Sequence, residues 1–254
     1  HVGYVDIQFH IEKQELTIMQ GGCEPTSRHP QDIEMKALVH RHQQRSKQAL
    51  SDPVTSITDK LSIQLHQESS LGNLLAAGIR KWTQSDLAII NSGQILQSLL
   101  PGEITREMIL EMCPSPINPC RMRLNGAQIL QALEETLLVE NREQIIRGFG
   151  FRGTVLGMLC LDGIKVYYDP HGKPLQKIVR TILDNGESIA LEQEYCVGTL
   201  DMFTFGIGYL SLKEGTDIKY YLPEFIRDVL TMQLLNKEEI QRSKEFRWHK
   251  AYEV

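Results

Sequence analysis

The feature that most constrains the fold is a helical pattern followed directly by an apolar strand that ends in polar residues. One helix face in "SSLGNLLAAGIRKW" carries Leu71, Leu74, Leu75, Ile79 and Trp82. Residues 87–90 are then typical of a buried strand, which Asn91, Ser92 and Gly93 end. Glycine lets a ligand approach the backbone and Asn offers donors and an acceptor, so this strand end is a candidate binding loop. An ordinary turn after a core strand is the alternative.

Further signals extend this alternation of strands and helices. Thr105 is a predicted N-cap, and Asn125 follows a short strand and begins another helix. Beyond about residue 150, Asp162-Gly163 and Asn185-Gly186 predict hairpins, and Pro223 predicts the first turn of a closing helix. The sequence therefore predicts a mixed α/β chain with an alternating first half and an antiparallel second half.

Composition excludes several classes of partner. With 41% hydrophobic and 23% charged residues, the chain is typical of a globular protein. Its net charge of −5 argues against a polynucleotide partner, and its apolar runs are too short for a membrane helix. The five cysteines have irregular spacing and no CxxC pair, so we expect reduced thiols and a cytoplasmic location.

The first fifty residues have a sequence pattern that differs from the rest of the chain. Residues 1–22 alternate apolar and polar positions like a strand pair, and a Gly/Pro/Ser break spans residues 21–30. Residues 31–50 then have helical spacing with a polar second half. We expect a strand pair and a connecting helix ahead of a main domain that starts near residue 52.

Six short motifs follow one another in a recognisable order between residues 55 and 210. They are "ESSLGNLLAAGIR", "DLAIINSG", "LPGEIT", "CPSPINP", "LDGIKVYYD" and "YCVGTLDMFTFGIGY". Together they resemble the C-terminal domain of the 5′-nucleotidase family, which includes bacterial UDP-sugar hydrolases and 2′,3′-cyclic-nucleotide phosphodiesterases. The resemblance implies an α/β fold, a layered α/β/β/α sandwich with a mixed sheet.

The resemblance also implies a domain organisation. Residues 1–22 would be the last strands of an upstream metallophosphoesterase domain, residues 23–51 a linker with a connecting helix, and residues 52–254 the substrate-binding domain. Two divalent ions of the Mn, Zn or Mg type would lie in that upstream domain. The chain lacks a G-N-H-E/D segment, its eight histidines are scattered, and the close pair His40 and His42 points to different sides of a helix. We therefore expect no metal or other cofactor in this chain and no catalysis by it alone.

Family members hold a base between two aromatic rings, and the chain departs from that pattern. Asn118 matches the family's Asn, but Ser115 stands where a ring is expected and Leu96 replaces an arginine. Ile207 stands where the family has Asp. The resemblance implies that Phe203 or Phe205 supplies a ring.

A glycine-rich loop, "RGFGFRG" at residues 147–153, is a candidate replacement for the missing groups. Its rings and arginines, among them Phe151 and Arg152, suit an aromatic, anionic ligand. Core phenylalanines with solvated arginines are the alternative, and Asn118 could instead cap a turn. The predicted substrate-binding residues are Asn91, Gly93, Asn118, Phe151, Arg152, Phe203 and Phe205.

The resemblance therefore predicts the substrate-recognition domain of a bacterial 5′-nucleotidase-like metallophosphohydrolase acting on a nucleotide or related phosphate ester. Its expected partners are a nucleotide-like small molecule and the upstream domain, with a homodimer through exposed apolar surface also open. A non-catalytic ligand-binding or protein-interaction module on the same fold is the alternative.

Overall fold

The computed structural model describes residues 1–251, which form two compact units, His1–Ala49 and Leu50 onward. The first unit contains strands β1 (Val2–His10) and β2 (Glu15–Glu24), paired as an antiparallel hairpin, and most of helix α1 (Ile33–Leu50). Every residue of both strands is exposed. The predicted strand pair and the predicted helix are confirmed, whereas the assignment of the strands to an upstream domain and of the helix to a linker stays a prediction.

The second unit contains the remaining strands and helices. Its strands are β3 (Pro53–Ile57), β4 (Leu87–Asn91), β5 (Gly102–Thr105), β6 (Pro119–Asn125), β7 (Leu159–Asp162), β8 (Ile164–Tyr168), β9 (Ile178–Leu183), β10 (Glu194–Leu200), β11 (Thr216–Tyr220) and β12 (Trp248–Lys250). Its helices are α2 (Ser70–Thr83), α3 (Arg106–Met112), α4 (Gly126–Glu135), α5 (Val139–Arg142), α6 (Asp201–Thr204), α7 (Ile226–Leu234) and α8 (Lys237–Arg242). Within residues 1–251, no helix has the length and apolar character needed to cross a bilayer.

The strands of the second unit form a mixed sheet and two smaller ones. The largest has the order β11-β6-β10-β4-β7, in which β10 and β4 are parallel and the other pairs antiparallel. A second sheet has the order β12-β8-β9, and β3 pairs with β5. The predicted α/β class with a mixed sheet is confirmed.

Local signals position the helices as expected. Helix α2 buries Leu71, Leu74, Leu75 and Ile79 beside β4 and β7. Thr105 Oγ1 accepts a hydrogen bond from Met108 N at the start of α3. Asn125 and Gln128 form a reciprocal capping box at the start of α4, which satisfies backbone donors that the helix leaves open. The helix starts predicted at Thr105 and Asn125 are confirmed.

The predicted hairpin at Asp162-Gly163 is wrong. Strand β7 pairs with β4, whereas β8 pairs with β9 in another sheet. The Asp162 carboxylate is buried and lies 2.8 to 3.3 Å from the guanidinium groups of Arg80, Arg242 and Arg247. These distant partners hold the end of β7, so the chain changes sheets at Gly163.

One predicted helix start and one predicted hairpin also differ from the structure. The closing helix begins at Ile226 instead of Pro223. The Asn185-Gly186 turn does form, because Leu183 N donates to Glu187 O across it, but no paired strand follows. Strand β9 pairs with β8, which precedes it in the sequence, instead of with a strand after the turn.

Candidate functional site

Four segments from distant parts of the sequence meet beside the end of β4. They are residues 91–94, 115–118, 147–157 and 201–208, and we call their meeting place the junction. Asn91 Nδ2 donates to Leu156 O at 2.6 Å, which ties the strand end to the glycine-rich segment. Gln94 Nε2 donates to Asn91 Oδ1 at 2.9 Å and lies 3.0 Å from Met202 Sδ.

Two more hydrogen bonds bring in the proline-rich segment. Ser115 Oγ accepts a hydrogen bond from Arg152 N at 3.1 Å. Asp201 Oδ2 accepts one from Asn118 N at 3.2 Å. The motifs that the sequence singled out therefore form one connected structure, in which Ser115 serves the chain itself.

Close backbone packing explains the glycines of the junction. A Cβ atom on Gly93 would clash with Val155 O and would lie 2.6 Å from Leu156 O. One on Gly153 would clash with Gly93 O, and one on Gly157 would lie 2.8 Å from Gly93 N. These glycines allow two chain segments to touch, so their open backbone faces another part of the protein.

The seven predicted residues fall into three groups by exposure. Four are buried: Asn91, Gly93, Phe151 and Phe203. Asn118 is half-buried, and its Nδ2 donates to Glu224 O at 2.7 Å. Only Arg152 and Phe205 are exposed. The structure thus brings the predicted segments together but leaves two of the predicted side chains fully available at the surface.

Phe205 offers a flat aromatic surface at the edge of the junction. Its side chain is 58% exposed, and its ring lies nearly parallel to that of Tyr220, with centroids 6.3 Å apart. The Tyr220 hydroxyl is 2.9 Å from Thr204 Oγ1, which fixes the supporting ring. A ring held in this way can stack on a planar ligand with little further loss of freedom.

A cavity of about 530 Å³ opens beside the junction. Its lining includes Glu135, Arg147 and the backbone of residues 206–208. None of the seven predicted residues lines it. Arg147 begins the "RGFGFRG" motif and Ile207 stands at the family's Asp, so the sequence pointed to the neighbourhood of this cavity. Glu135 carried no sequence signal, and here it accepts a hydrogen bond from Ser211 Oγ at 3.0 Å.

Burial shifts the pKa values of ionisable groups at the junction. Burial raises the pKa of the Asp201 carboxyl, and the hydrogen bonds from Asn118 N and Met202 N partly offset that rise. Burial also raises the pKa of the Cys113 thiol to about 12 and that of Cys120 further. Both thiols are therefore protonated at neutral pH and are poor nucleophiles.

The described part of the chain contains no cluster suited to a metal. Among residues 1–251, no group of three or more His, Cys, Asp or Glu side chains is placed to hold an ion. The exposed side chains of the junction include the cations Arg147 and Arg152 and the aromatic rings of Phe149 and Phe205.

Comparison with known proteins shows which family the chain is similar to. Residues 53–212 match the family model described as the C-terminal domain of 5′-nucleotidase. The chain is 31% identical over 204 residues to the uncharacterized metallophosphoesterase YunD of Bacillus subtilis, covering 80% of this chain and 44% of that protein. It therefore spans less than half the length of this relative.

Solved structures share the fold. A 5′-nucleotidase precursor from Thermus thermophilus superposes with a TM-score of 0.65 at 21% identity, over 98% of this chain and 49% of that one. The Haemophilus influenzae NAD nucleotidase gives 0.58 at 15% identity, over 88% and 40%. The sulfate thiohydrolase SoxB of Thermus thermophilus gives 0.61 at 15% identity, over 93% and 41%. With its family model matched over most of the second unit, the chain belongs to the 5′-nucleotidase C-terminal domain family.

Proposed function

We propose that this chain is the substrate-recognition domain of a 5′-nucleotidase-like metallophosphohydrolase. It would hold a nucleotide or a related phosphate ester at the junction while an upstream domain hydrolyses the ester. The observation that carries the proposal is the convergence of three family motifs and the glycine-rich loop beside a cavity of about 530 Å³. That volume lies in the range of pockets for small organic ligands.

The exposed groups at the junction suit such a ligand. Arg147 and Arg152 are exposed cations that can donate charge-assisted hydrogen bonds to a phosphate. Phe205, supported by Tyr220, can stack on a base. Base stacking is worth about 1–3 kcal/mol and tolerates different bases. A cation together with a ring selects a ligand that is both anionic and aromatic.

The substrate is expected to differ from a plain nucleoside monophosphate. Leu96 removes a cation of the family's pattern, and Ser115 removes a ring. Relatives of this fold carry names as different as 5′-nucleotidase, NAD nucleotidase and sulfate thiohydrolase. The fold therefore accommodates changes of substrate. The loss of this cation and this ring supports a related phosphate ester with other groups attached.

Hydrolysis is assigned to the upstream domain. The chain corresponds to 44% of YunD, whose name describes it as a metallophosphoesterase. Two divalent ions of the Mn, Zn or Mg type in that domain would supply an activated water for attack on the ester. The residues of this chain would bind and orient the substrate and would carry out no step of bond cleavage.

The exposed apolar side chains of the first unit support the presence of a partner that covers them. Its hairpin exposes large apolar side chains on both strands, including Val5, Ile7, Phe9 and Ile18. Apolar surface of this kind marks an interaction site. We assign it to the upstream metallophosphoesterase domain, with a second copy of the chain as the alternative. Sedimentation at high concentration separates these, since pairing of the chain alone would give a dimer.

A non-catalytic binding module is the second candidate function. The observation that favours it is the use of Ser115 and Asn118 in hydrogen bonds within the protein, at the positions of the ring and the Asn in the family's motif. Sequence upstream of this chain would distinguish the two, because an intact set of metal ligands supports the enzyme.

The cytoplasmic location also remains part of the proposal. All five cysteines are free, and Cys113, Cys120 and Cys160 are buried. Free thiols are usual in a reducing compartment.

The proposal is tested by calorimetric titration of the chain with nucleosides, mononucleotides, cyclic nucleotides and nucleotide sugars. We expect saturable binding of at least one phosphate-bearing ligand, weakened by Arg147→Ala and by Phe205→Ala. Arg106→Ala, an exposed arginine on α3, is the matched control and should leave the affinity unchanged. Binding that ignores the first two substitutions would place the ligand elsewhere and overturn the assignment.

A further inference from the structure

A second and larger cavity lies elsewhere in the domain. Its volume is about 740 Å³, and it shares no lining residue with the junction. Its walls come from the segment before α2, from α5 and from the strands β8 and β12. The proposed function leaves this cavity unused.

One wall of the cavity is aromatic and rigid. The rings of Tyr168 and Trp248 meet edge to face, with centroids 6.0 Å apart. Trp248 Nε1 donates to Leu159 O at 3.1 Å, which fixes the indole. Leu137 and Met158 add apolar surface beside these rings. A planar or apolar ligand body can lie against such a wall without disturbing the core.

The cavity also contains cations without acidic partners. Arg142 and Lys177 both line it, and among residues 1–251 no carboxylate lies within ion-pair distance of either. Arg142 donates through its terminal NH1 to His66 O at 3.0 Å. Its Nε is buried and has no hydrogen-bond partner among residues 1–251. An unpaired buried guanidinium N–H is costly, and an anion bound to the terminal nitrogens of the same group would offset that cost through its charge.

The acid in the lining does not fill this role. Glu68 accepts hydrogen bonds from Arg247 N at 2.6 Å, from Trp248 N at 3.0 Å and from Asn73 Nδ2 at 2.8 Å. Its oxygens are thus committed to holding the chain at β12. Lys177 donates to Pro170 O at 3.2 Å, a neutral acceptor that leaves its charge unbalanced. The cavity therefore keeps an excess of positive charge next to an aromatic wall.

We propose that this cavity is a binding site for a small aromatic oxyanion, independent of the substrate site at the junction. The carboxylate or phosphate group of the ligand would accept from Arg142 and Lys177, and its ring would lie against Tyr168 and Trp248. Carboxylates and phosphates share this chemistry, so the probes must distinguish them.

Trp248 provides a direct readout. The chain has two tryptophans, and Trp82 does not line this cavity. A Trp82→Phe variant therefore leaves Trp248 as the single tryptophan, and its emission is followed with excitation at a wavelength that tyrosine does not absorb. This protein is titrated with phenyl phosphate and with benzoate, while benzamide serves as the neutral ring and inorganic phosphate as the anion without a ring. We expect a saturable change in Trp248 fluorescence with phenyl phosphate or benzoate, and at least tenfold weaker responses to the other two.

Substitutions locate the site. In the same background, Arg142→Gln and Lys177→Gln should each weaken binding at least tenfold, whereas Arg147→Gln at the junction should leave it unchanged. Lys177 makes one neutral hydrogen bond through its ammonium, so its variant tests the charge even if Arg142→Gln lowers the melting temperature. No saturable change with either aryl anion, or equal binding by benzamide, would overturn the proposal. So would unchanged affinity in Lys177→Gln, or a loss in Arg147→Gln that matches the loss in Lys177→Gln.

Discussion

The floor and the rim of the junction differ in what their side chains contact. The floor consists of Asn91, Gly93, Phe151 and Phe203, which are buried and touch other parts of the domain. The rim consists of Arg147, Arg152 and Phe205, whose side chains are exposed. The floor holds the four segments in register, and the rim is available to a ligand. Substitutions in the floor should therefore act on stability, and those in the rim on binding.

The largest effect is expected from Gly93→Ala in the floor. Its new Cβ would meet two backbone carbonyls, Val155 O and Leu156 O, which cannot move independently of the chain. We expect the free energy of unfolding to fall by about 3 kcal/mol or more, measured by urea denaturation.

Gly148→Ala is the matched control for that substitution. Gly148 has φ of +86°, and no atom lies within 4 Å of the position that a Cβ would take, so alanine there costs only backbone strain of about 1–2 kcal/mol. Equal losses at Gly93 and Gly148 would show that the floor is not closely packed.

Asn91→Ala should have the next largest effect. It removes the donor to Leu156 O and the acceptor of Gln94 Nε2, and both groups remain buried. We expect a loss of about 2 kcal/mol in unfolding free energy. Asn185→Ala removes the acceptor of Glu187 N in an exposed turn and should cost less, about 0.5–1 kcal/mol. A loss at Asn91 as small as that at Asn185 would contradict its structural role.

Substitutions in the rim should weaken ligand binding and leave stability nearly unchanged. Arg147→Ala and Phe205→Ala should each weaken binding of a nucleotide-like ligand about tenfold, which corresponds to about 1.4 kcal/mol. Their unfolding free energies should stay within about 0.5 kcal/mol of the parent chain. Calorimetry and urea denaturation on the same samples measure both quantities. A stability loss without any change in affinity would assign these residues to the floor instead.

The smallest effect concerns pH and Asp201, whose carboxylate accepts a hydrogen bond from Asn118 N at the junction. Because burial raises its pKa in the folded chain, the folded state binds the proton more tightly than the unfolded state does. Its contribution to stability is therefore present below the ordinary Asp value of 3.8 and is lost as the pH rises through the higher folded value. Asp201→Asn should flatten this decline in denaturation curves taken between pH 4 and 7. The exposed Asp52→Asn should leave the decline unchanged, and an unaltered slope in Asp201→Asn would contradict the assignment.

Local signals predicted helix starts well. Thr105 and Asn125 cap the helices that the sequence assigned to them, because a capping hydrogen bond reaches only three residues along the chain. The Asp162-Gly163 hairpin failed for the opposite reason. Arg80, Arg242 and Arg247 lie about 80 residues from Asp162 in sequence, and a turn signal carries no information on them.

Site prediction succeeded for segments and was incomplete for side chains. The segments around residues 91, 118 and 203, which the family resemblance singled out, do meet, and the glycine-rich loop around residue 151 joins them. Composition cannot tell whether a phenylalanine faces the core or a ligand, and Phe203 proved buried while Phe205 is exposed. Glu135 was missed because its helix position resembles any other polar face.

The most direct test of recognition without hydrolysis is made on one sample. The phosphate ester that binds most tightly in the titration panel is added to the chain with Mn²⁺, Zn²⁺ or Mg²⁺, and heat of binding and released phosphate are measured together. We expect saturable binding that Arg147→Ala weakens, with no phosphate released above the protein-free control. Phosphate release that depends on the chain, or the absence of binding by every ester tested, would contradict the assignment of this domain to substrate recognition.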